Sequence, residues 1–161
     1  MAEFALVTIW RLAVPIAAVW KDLAAPEHWP QWWRYVKRVE VLNPGDADGV
    51  GAVRRFTWSS KLPYSLSFEV TATRIEKPRL LEGRSRGELD GTGTWHLSES
   101  DGVTTVRYDW RVSTTKAWMR LMAPLLRPVF AWTHHGVMRA GGEGLARRLG
   151  ARLLEAGPAT R

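Results

Sequence analysis

The chain has 161 residues, ten of them tryptophan and none cysteine, and a formal net charge of +7 from 23 basic and 16 acidic side chains. That length suits one domain that buries roughly 70% of its unfolded surface. The missing cysteines exclude a disulfide framework, a thiolate nucleophile and any Cys-ligated zinc or iron–sulfur centre. Ten indoles exceed what a core of this size needs, and that surplus asks for a use.

Residues Glu3 to Leu12 read as a first strand with apolar side chains on both faces: Phe4, Leu6, Thr8 and Trp10 on one, Ala5, Val7 and Ile9 on the other. Glu3 and Arg11 interrupt the charge and apolar pattern of a secretory signal, and no stretch is long and uncharged enough to span a bilayer. A cytoplasmic location is therefore expected. Pro15 opens a helix with Ile16, Val19, Trp20 and Leu23 on one face, and Pro26 opens a second short helix reaching to about Tyr35 with Trp29, Trp32 and Trp33. Those tryptophans close one end of the domain or lie on a surface. The pair has the shape of a helix-turn-helix but lacks the basic second helix of a DNA reader, and no nucleic-acid partner is expected.

A long segment with period-two alternation follows, punctuated by Asn43-Pro44-Gly45-Asp46, Pro78 and Asp101-Gly102. Tyr64, Leu66, Phe68, Val70 and Ala72 alternate with polar residues over ten positions, and Val106, Tyr108, Trp110 and Val112 alternate with Arg107, Asp109 and Arg111. Short loops impose antiparallel pairing. From Lys116 the pattern turns helical to about Glu155, with a kink or break expected at Pro124 and Pro128. Gly141, Gly142, Gly144 and Gly150 either admit a close neighbour or form a hinge. The last residues, 157–161, are expected to fray. The fold class is α+β: about seven antiparallel strands curved round a long C-terminal helix, with two short helices after the first strand. A sheet curved round one helix leaves a cavity in its middle.

This order of elements resembles the helix-grip fold of the START / Bet v 1-like (SRPBCC) superfamily, and the chain is most similar to bacterial polyketide cyclase/dehydrase-type proteins. The resemblance rests on Pro15-Ile16-Ala17-Ala18-Val19-Trp20 with Pro26-Glu27-His28-Trp29-Pro30-Gln31-Trp32, on Gly49-Val50-Gly51, on the run Gly87 to Trp95 leading to Trp110-Arg111-Val112, and on Trp118-Met119. It covers nearly everything from Glu3 to Leu154 and implies a single domain over residues 1–156. It implies a pocket for a small hydrophobic ligand, and it is specific for fold rather than for a reaction.

Strand parity places Trp10, Phe56, Trp58, Tyr64, Phe68, Trp95, Tyr108 and Trp110 toward the concave side, with Trp118, Met122 and Phe130 facing them from the helix. Such a lining suits a flat apolar or aromatic, polyketide- or lipid-like ligand. Tyr108 and His134 are the candidates for acid–base chemistry, as in a cyclase or dehydratase. His134 and His135 are adjacent, so only one can face inward. Likewise only one of Arg54 and Arg55 points in, where it can anchor a carboxylate or phenolate. No metal site and no cofactor is expected: the chain lacks G-x-S-x-G, a P-loop, a Rossmann fingerprint and H-E-x-x-H. Three readings follow: a binder of a hydrophobic ligand, a cyclase or dehydratase acting on one, and an interaction module using a basic, Trp-rich surface. The first two require an enclosed cavity and the third a filled core. Peripheral membrane contact and a monomer or homodimer are both compatible with the sequence.

Overall fold

A computed structural model describes residues 3–159. Strand β1 (Glu3–Leu12) leads into helix α1 (Ile16–Leu23) and a 3₁₀ helix (Pro26–Gln31). Six strands follow: β2 (Val36–Asn43), β3 (Val53–Trp58), β4 (Leu66–Glu76), β5 (Leu80–Gly87), β6 (Leu89–Ser100) and β7 (Val103–Thr114). Helix α2 (Ala117–Leu149) and strand β8 (Leu153–Pro158) complete the fold. All eight strands form one antiparallel sheet in the order β2-β3-β4-β5-β6-β7-β1-β8. The hairpin expected at Asp101-Gly102 has both residues at positive φ, 52° and 75°, the geometry of a tight turn that matches strand twist.

The sheet has eight strands, not seven, and the difference lies at the C-terminus. Helix α2 stops at Leu149 because Gly150 takes a left-handed C-cap (φ 61°, ψ 30°) and returns its N–H to the last turn. The helix expected to reach Glu155 ends there. Leu153 to Pro158 instead cover the open edge of β1, pairing Ile9 with Gly157 and Thr8 with Pro158. An unpaired edge of β1 would expose a row of backbone donors and acceptors, and β8 removes it. Gly157 and Pro158, expected in a fraying tail, are thus in the sheet; Thr160 and Arg161 lie outside the described residues.

Helix α2 runs for 33 residues through both Pro124 and Pro128 with no break. Both prolines are exposed, so the carbonyls they leave without a helical partner face the solvent side. The second short helix is a single 3₁₀ segment that ends at Gln31 rather than near Tyr35, and Trp32 and Trp33 follow it into the core.

The glycines of α2 serve close approach, not a hinge. A Cβ at Gly141 would run into the Trp33 indole, at Gly142 into Trp10, and at Gly144 into the Trp32 backbone carbonyl. From Met138 onward the helix therefore sits down on a packed cluster of indoles. Trp10 donates its indole N–H to the Met138 carbonyl (2.9 Å) and Trp33 donates to the Val137 carbonyl (2.8 Å), which fixes the helix on the sheet. Toward its N-terminus α2 has no glycine seated on an indole, and the space between helix and sheet stays open.

Candidate functional site

The gap between the concave face of the sheet and the N-terminal two-thirds of α2 is a cavity of about 680 Å³. This volume is in the range of small-molecule sites. A filled core, as the interaction-module reading required, is not what these residues build.

The strands supply its wall as their alternation predicts. Phe56 and Trp58 come from β3, Phe68 from β4, Trp95 from β6, and Tyr108 and Trp110 from β7; Tyr64 contributes from the β3–β4 connection rather than from a strand. Phe130 faces them from α2. Three expected lining residues are elsewhere. Trp10 has the right strand parity but is 1% exposed and packed among Trp33, Trp95 and α2, so it underlies the cavity instead of lining it. Trp118 and Met122 are 47% and 43% exposed and point away from the cavity. The helix turns Met119, Thr133, His134, Val137 and Met138 inward in their place.

Six of the ten indoles reach the cavity: Trp20, Trp29, Trp33, Trp58, Trp95 and Trp110. Sequence pattern alone gives Trp20, Trp29 and Trp33 only the capping of an end. The i, i+4 spacing of Trp29 and Trp33 is met by a single α-type turn past the end of the 3₁₀ helix, in which the Trp33 N–H donates to the Trp29 carbonyl (2.7 Å). They join Phe56, Trp58 and Trp95 in a continuous aromatic surface with ring centroids 5.0–6.4 Å apart, mostly tilted or edge-to-face.

The inward choice falls on Arg54 and His134. Arg54 reaches the cavity while its Nε donates to Glu27 of the 3₁₀ helix (3.0 Å), so its charge is already matched. Arg55 lies outside against Glu40 and Glu69. His135 is turned away, its ring centroid 5.8 Å from that of His134. Exposed Asp48 and Lys77 line the end near the start of β3, so the cavity reaches solvent there; Ser59, Ser60 and Tyr64 stand at the other end of β3.

Some polar atoms of the wall are satisfied within the protein and others are not. His134 Nδ1, Thr133 Oγ1 and Trp58 Nε1 are buried and have no hydrogen-bond partner among the described residues. Buried polar groups are ordinarily paired, and unpaired ones carry a cost of about 1–3 kcal/mol each. The Tyr108 hydroxyl also makes no hydrogen bond within the described residues; it lies over Gly93, where a Cβ would stand 2.7 Å from it. Burial lowers the His134 pKa to about 3, with the neighbouring His135 adding a smaller effect in the same direction. Burial pushes Tyr108 well above its ordinary value. At neutral pH the wall thus carries a neutral imidazole and a protonated phenol. The paired arginines Arg84, Arg107 and Arg139 lie on outer faces against Asp90, Asp109 and Glu143. There they form solvated ion pairs of little energetic weight.

A curved antiparallel sheet gripping a long helix over an aromatic cavity defines the helix-grip class of ligand-binding domains. Residues 7–150 match the family described as "Polyketide cyclase / dehydrase and lipid transport", and the chain belongs to that family. Solved structures share the fold at low identity. One is TTHA0849 from Thermus thermophilus, with TM-score 0.73 and 13% identity over 90% of this chain and 99% of that one. Another is the ZhuI aromatase/cyclase from Streptomyces sp. R1128, with TM-score 0.72 and 16% identity over 91% and 96%. A third is norcoclaurine synthase from Thalictrum flavum, with TM-score 0.60 and 11% identity over 91% and 94%. No curated protein matches the chain by sequence. The family gives the chain a hydrophobic-ligand or cyclase role, and among the described residues no helix is long and apolar enough to cross a membrane.

Proposed function

We propose that the protein binds one uncharged, largely apolar ligand with an extended aromatic, polyketide-like or lipid-like skeleton inside the cavity. The observation that carries this reading is a wall of indoles and phenyl rings bearing three buried polar atoms without protein partners, His134 Nδ1, Thr133 Oγ1 and Trp58 Nε1. A ligand with hydroxyl or carbonyl oxygens supplies what those atoms lack. The one inward guanidinium among the described residues, Arg54, is occupied by Glu27, which argues for a neutral rather than an anionic ligand.

A second reading, cyclisation or dehydration of such a ligand, is favoured by one observation: Tyr108 and His134, the two candidate acid–base groups, both reach the cavity. Proton transfer is most effective when the group's pKa lies near the working pH. Burial displaces His134 downward and Tyr108 upward, away from neutrality in opposite directions. Both are then hydrogen-bonding groups first, and binding is the stronger reading. Native mass spectrometry of the purified protein, followed by solvent extraction, tests it. A co-purifying neutral apolar molecule, released on denaturation, is expected. A ligand-free protein that also fails to take up a neutral fluorophore such as N-phenylnaphthylamine would remove the proposal.

A further inference from the structure

The cavity has a charged end and an uncharged end. Asp48, Arg54 and Lys77 line it near the start of β3, while Trp58 is the last residue of that strand. At about 3.3 Å per residue, Arg54 and Trp58 stand roughly 13 Å apart along the strand.

Two hydrogen-bond donors at the Trp58 end are free. Among the indoles lining the cavity, Trp29 and Trp33 give their N–H groups to the Leu23 and Val137 carbonyls (3.2 and 2.8 Å). The buried Trp58 Nε1 has no partner among the described residues. Trp32 Nε1 is likewise unpartnered but does not line the cavity. A buried threonine inside a helix ordinarily returns its hydroxyl to a carbonyl of the preceding turn. Thr133 Oγ1 does not; it is buried, unpartnered and on the cavity wall.

Trp33 brings these two groups together. Its ring centroid is 5.0 Å from that of Trp58, and its N–H holds the Val137 carbonyl, one helical turn beyond Thr133 on the same face. An indole N–H can only donate, and a threonine hydroxyl carries one hydrogen to donate. A carbonyl oxygen, with two lone pairs and no hydrogen of its own to place, satisfies both. A hydroxyl in that position would leave its own hydrogen unplaced or, by donating it to Thr133, leave the Thr133 hydrogen unplaced. His134 is turned about 100° from Thr133 round the helix and addresses a different part of the wall.

We propose that Trp58 and Thr133 select the ligand by donating jointly to one carbonyl oxygen. An aryl ketone would then lie with its oxygen at the Trp58 end and its apolar skeleton toward the mouth at Asp48 and Lys77. The assignment rests on the ligand-binding reading and adds to it the residues that choose the ligand.

A matched pair of fluorophores tests the proposal: Prodan, a dimethylaminonaphthalene bearing a propionyl ketone, and its counterpart with a propyl group in place of the ketone. Prodan emits at longer wavelength when its carbonyl oxygen accepts hydrogen bonds, so its spectrum reports the contact itself. Thr133→Val keeps the side-chain shape, and Trp58→Phe keeps an aromatic ring. Each should weaken Prodan binding about 5-fold or more, the worth of one neutral hydrogen bond, and move the bound emission to shorter wavelength. Thr133→Ser should retain both affinity and emission. The propyl counterpart should bind the parent and Thr133→Val within about twofold of each other, and any packing loss in Trp58→Phe is read from this probe and divided out. If the propyl counterpart binds while Prodan shows the same affinity and emission in parent and variants, the two donors serve water and the proposal falls, but ligand binding stands. If neither fluorophore enters the parent cavity, the ligand-binding reading falls and takes the proposal with it.

Discussion

The Tyr108 ring stacks on Trp95 with centroids 3.9 Å apart and planes inclined by 20°, from directly paired positions on β7 and β6. Trp110 continues the stack on the other side of Tyr108, 5.8 Å away at 24°. The phenol is thus held flat against one cavity wall by neighbouring indoles, and its orientation is set by packing. Its hydroxyl makes no hydrogen bond to the described residues.

Tyr108→Phe should therefore leave stability nearly unchanged, within about 0.5 kcal/mol by urea denaturation, because stacking is kept and no protein hydrogen bond is lost. The same substitution should weaken retention of the co-purifying ligand. A stability loss of about 1 kcal/mol or more in the ligand-free protein would mean that the hydroxyl serves the fold instead.

Gly93 makes room for that stack. A Cβ there would lie 2.7 Å from the Tyr108 hydroxyl and 3.0 Å from the Trp110 ring. Gly93→Val should push both rings into the cavity and reduce uptake of N-phenylnaphthylamine roughly 10-fold or more. Far-ultraviolet circular dichroism should remain that of the parent protein, since the ring pair has empty space to move into. Undiminished uptake would place the bound fluorophore away from this wall.

The strand part of the site is legible in the sequence because a pleated strand has a fixed period. Phe68, Trp95, Tyr108 and Trp110 alternate with polar residues, and parity alone sends them inward. Depth is not legible. Trp10 has the same parity as Phe4 and Leu6, but Gly142 lets α2 descend onto it, and the cavity ends before reaching it. The helical part fails for a related reason. Trp118 and Met122 read as inward because they are apolar, yet α2 turns Met119, Phe130, Met138 and Leu145 toward the sheet and leaves those two on its outer side. Trp29 and Trp33 are legible as a pair but not as cavity residues, since their position depends on how the 3₁₀ segment folds under β3. Strand β8 is hidden because Leu149 and Leu153 keep helical spacing across Gly150, and only the left-handed turn at that glycine separates helix from strand.

Gly144→Ala tests the seat of α2 on the tryptophan cluster. The added methyl group meets the Trp32 carbonyl, a backbone atom that cannot rotate aside, so the helix or the 3₁₀ segment must move. Despite alanine's better helix propensity, the substitution should destabilise the protein by roughly 3 kcal/mol, lowering its melting temperature by roughly 10 °C. Gly136→Ala is the control: no atom stands within reach of its Cβ, and helix propensity should make it neutral or stabilising by up to about 1 kcal/mol. Equal effects at the two glycines would deny the close approach its structural role.

The buried His134 gives the protein a distinctive pH dependence. Its folded pKa is lowered to about 3, chiefly by burial, against an ordinary value of 6.5. Between these values the unfolded chain binds a proton that the folded chain refuses, so stability is fully present above about pH 6.5 and falls as the pH drops toward 3. The greatest slope attributable to this one group is about 1.4 kcal/mol per pH unit. His135 is lowered in the same direction by its own burial, so the comparison must be made against a variant that changes only His134. His134→Gln keeps a neutral hydrogen-bonding side chain and removes the titration. Urea midpoints measured from pH 7 to pH 4 should fall less steeply for His134→Gln than for the parent, with the difference confined to pH values below about 6.5. Parallel curves would mean that His134 protonates in the folded state as readily as in water, and that the wall it lines is not dry. A bound neutral ligand that donates a hydrogen bond to Nδ1 should deepen the acid loss, because protonation of that nitrogen would displace the contact.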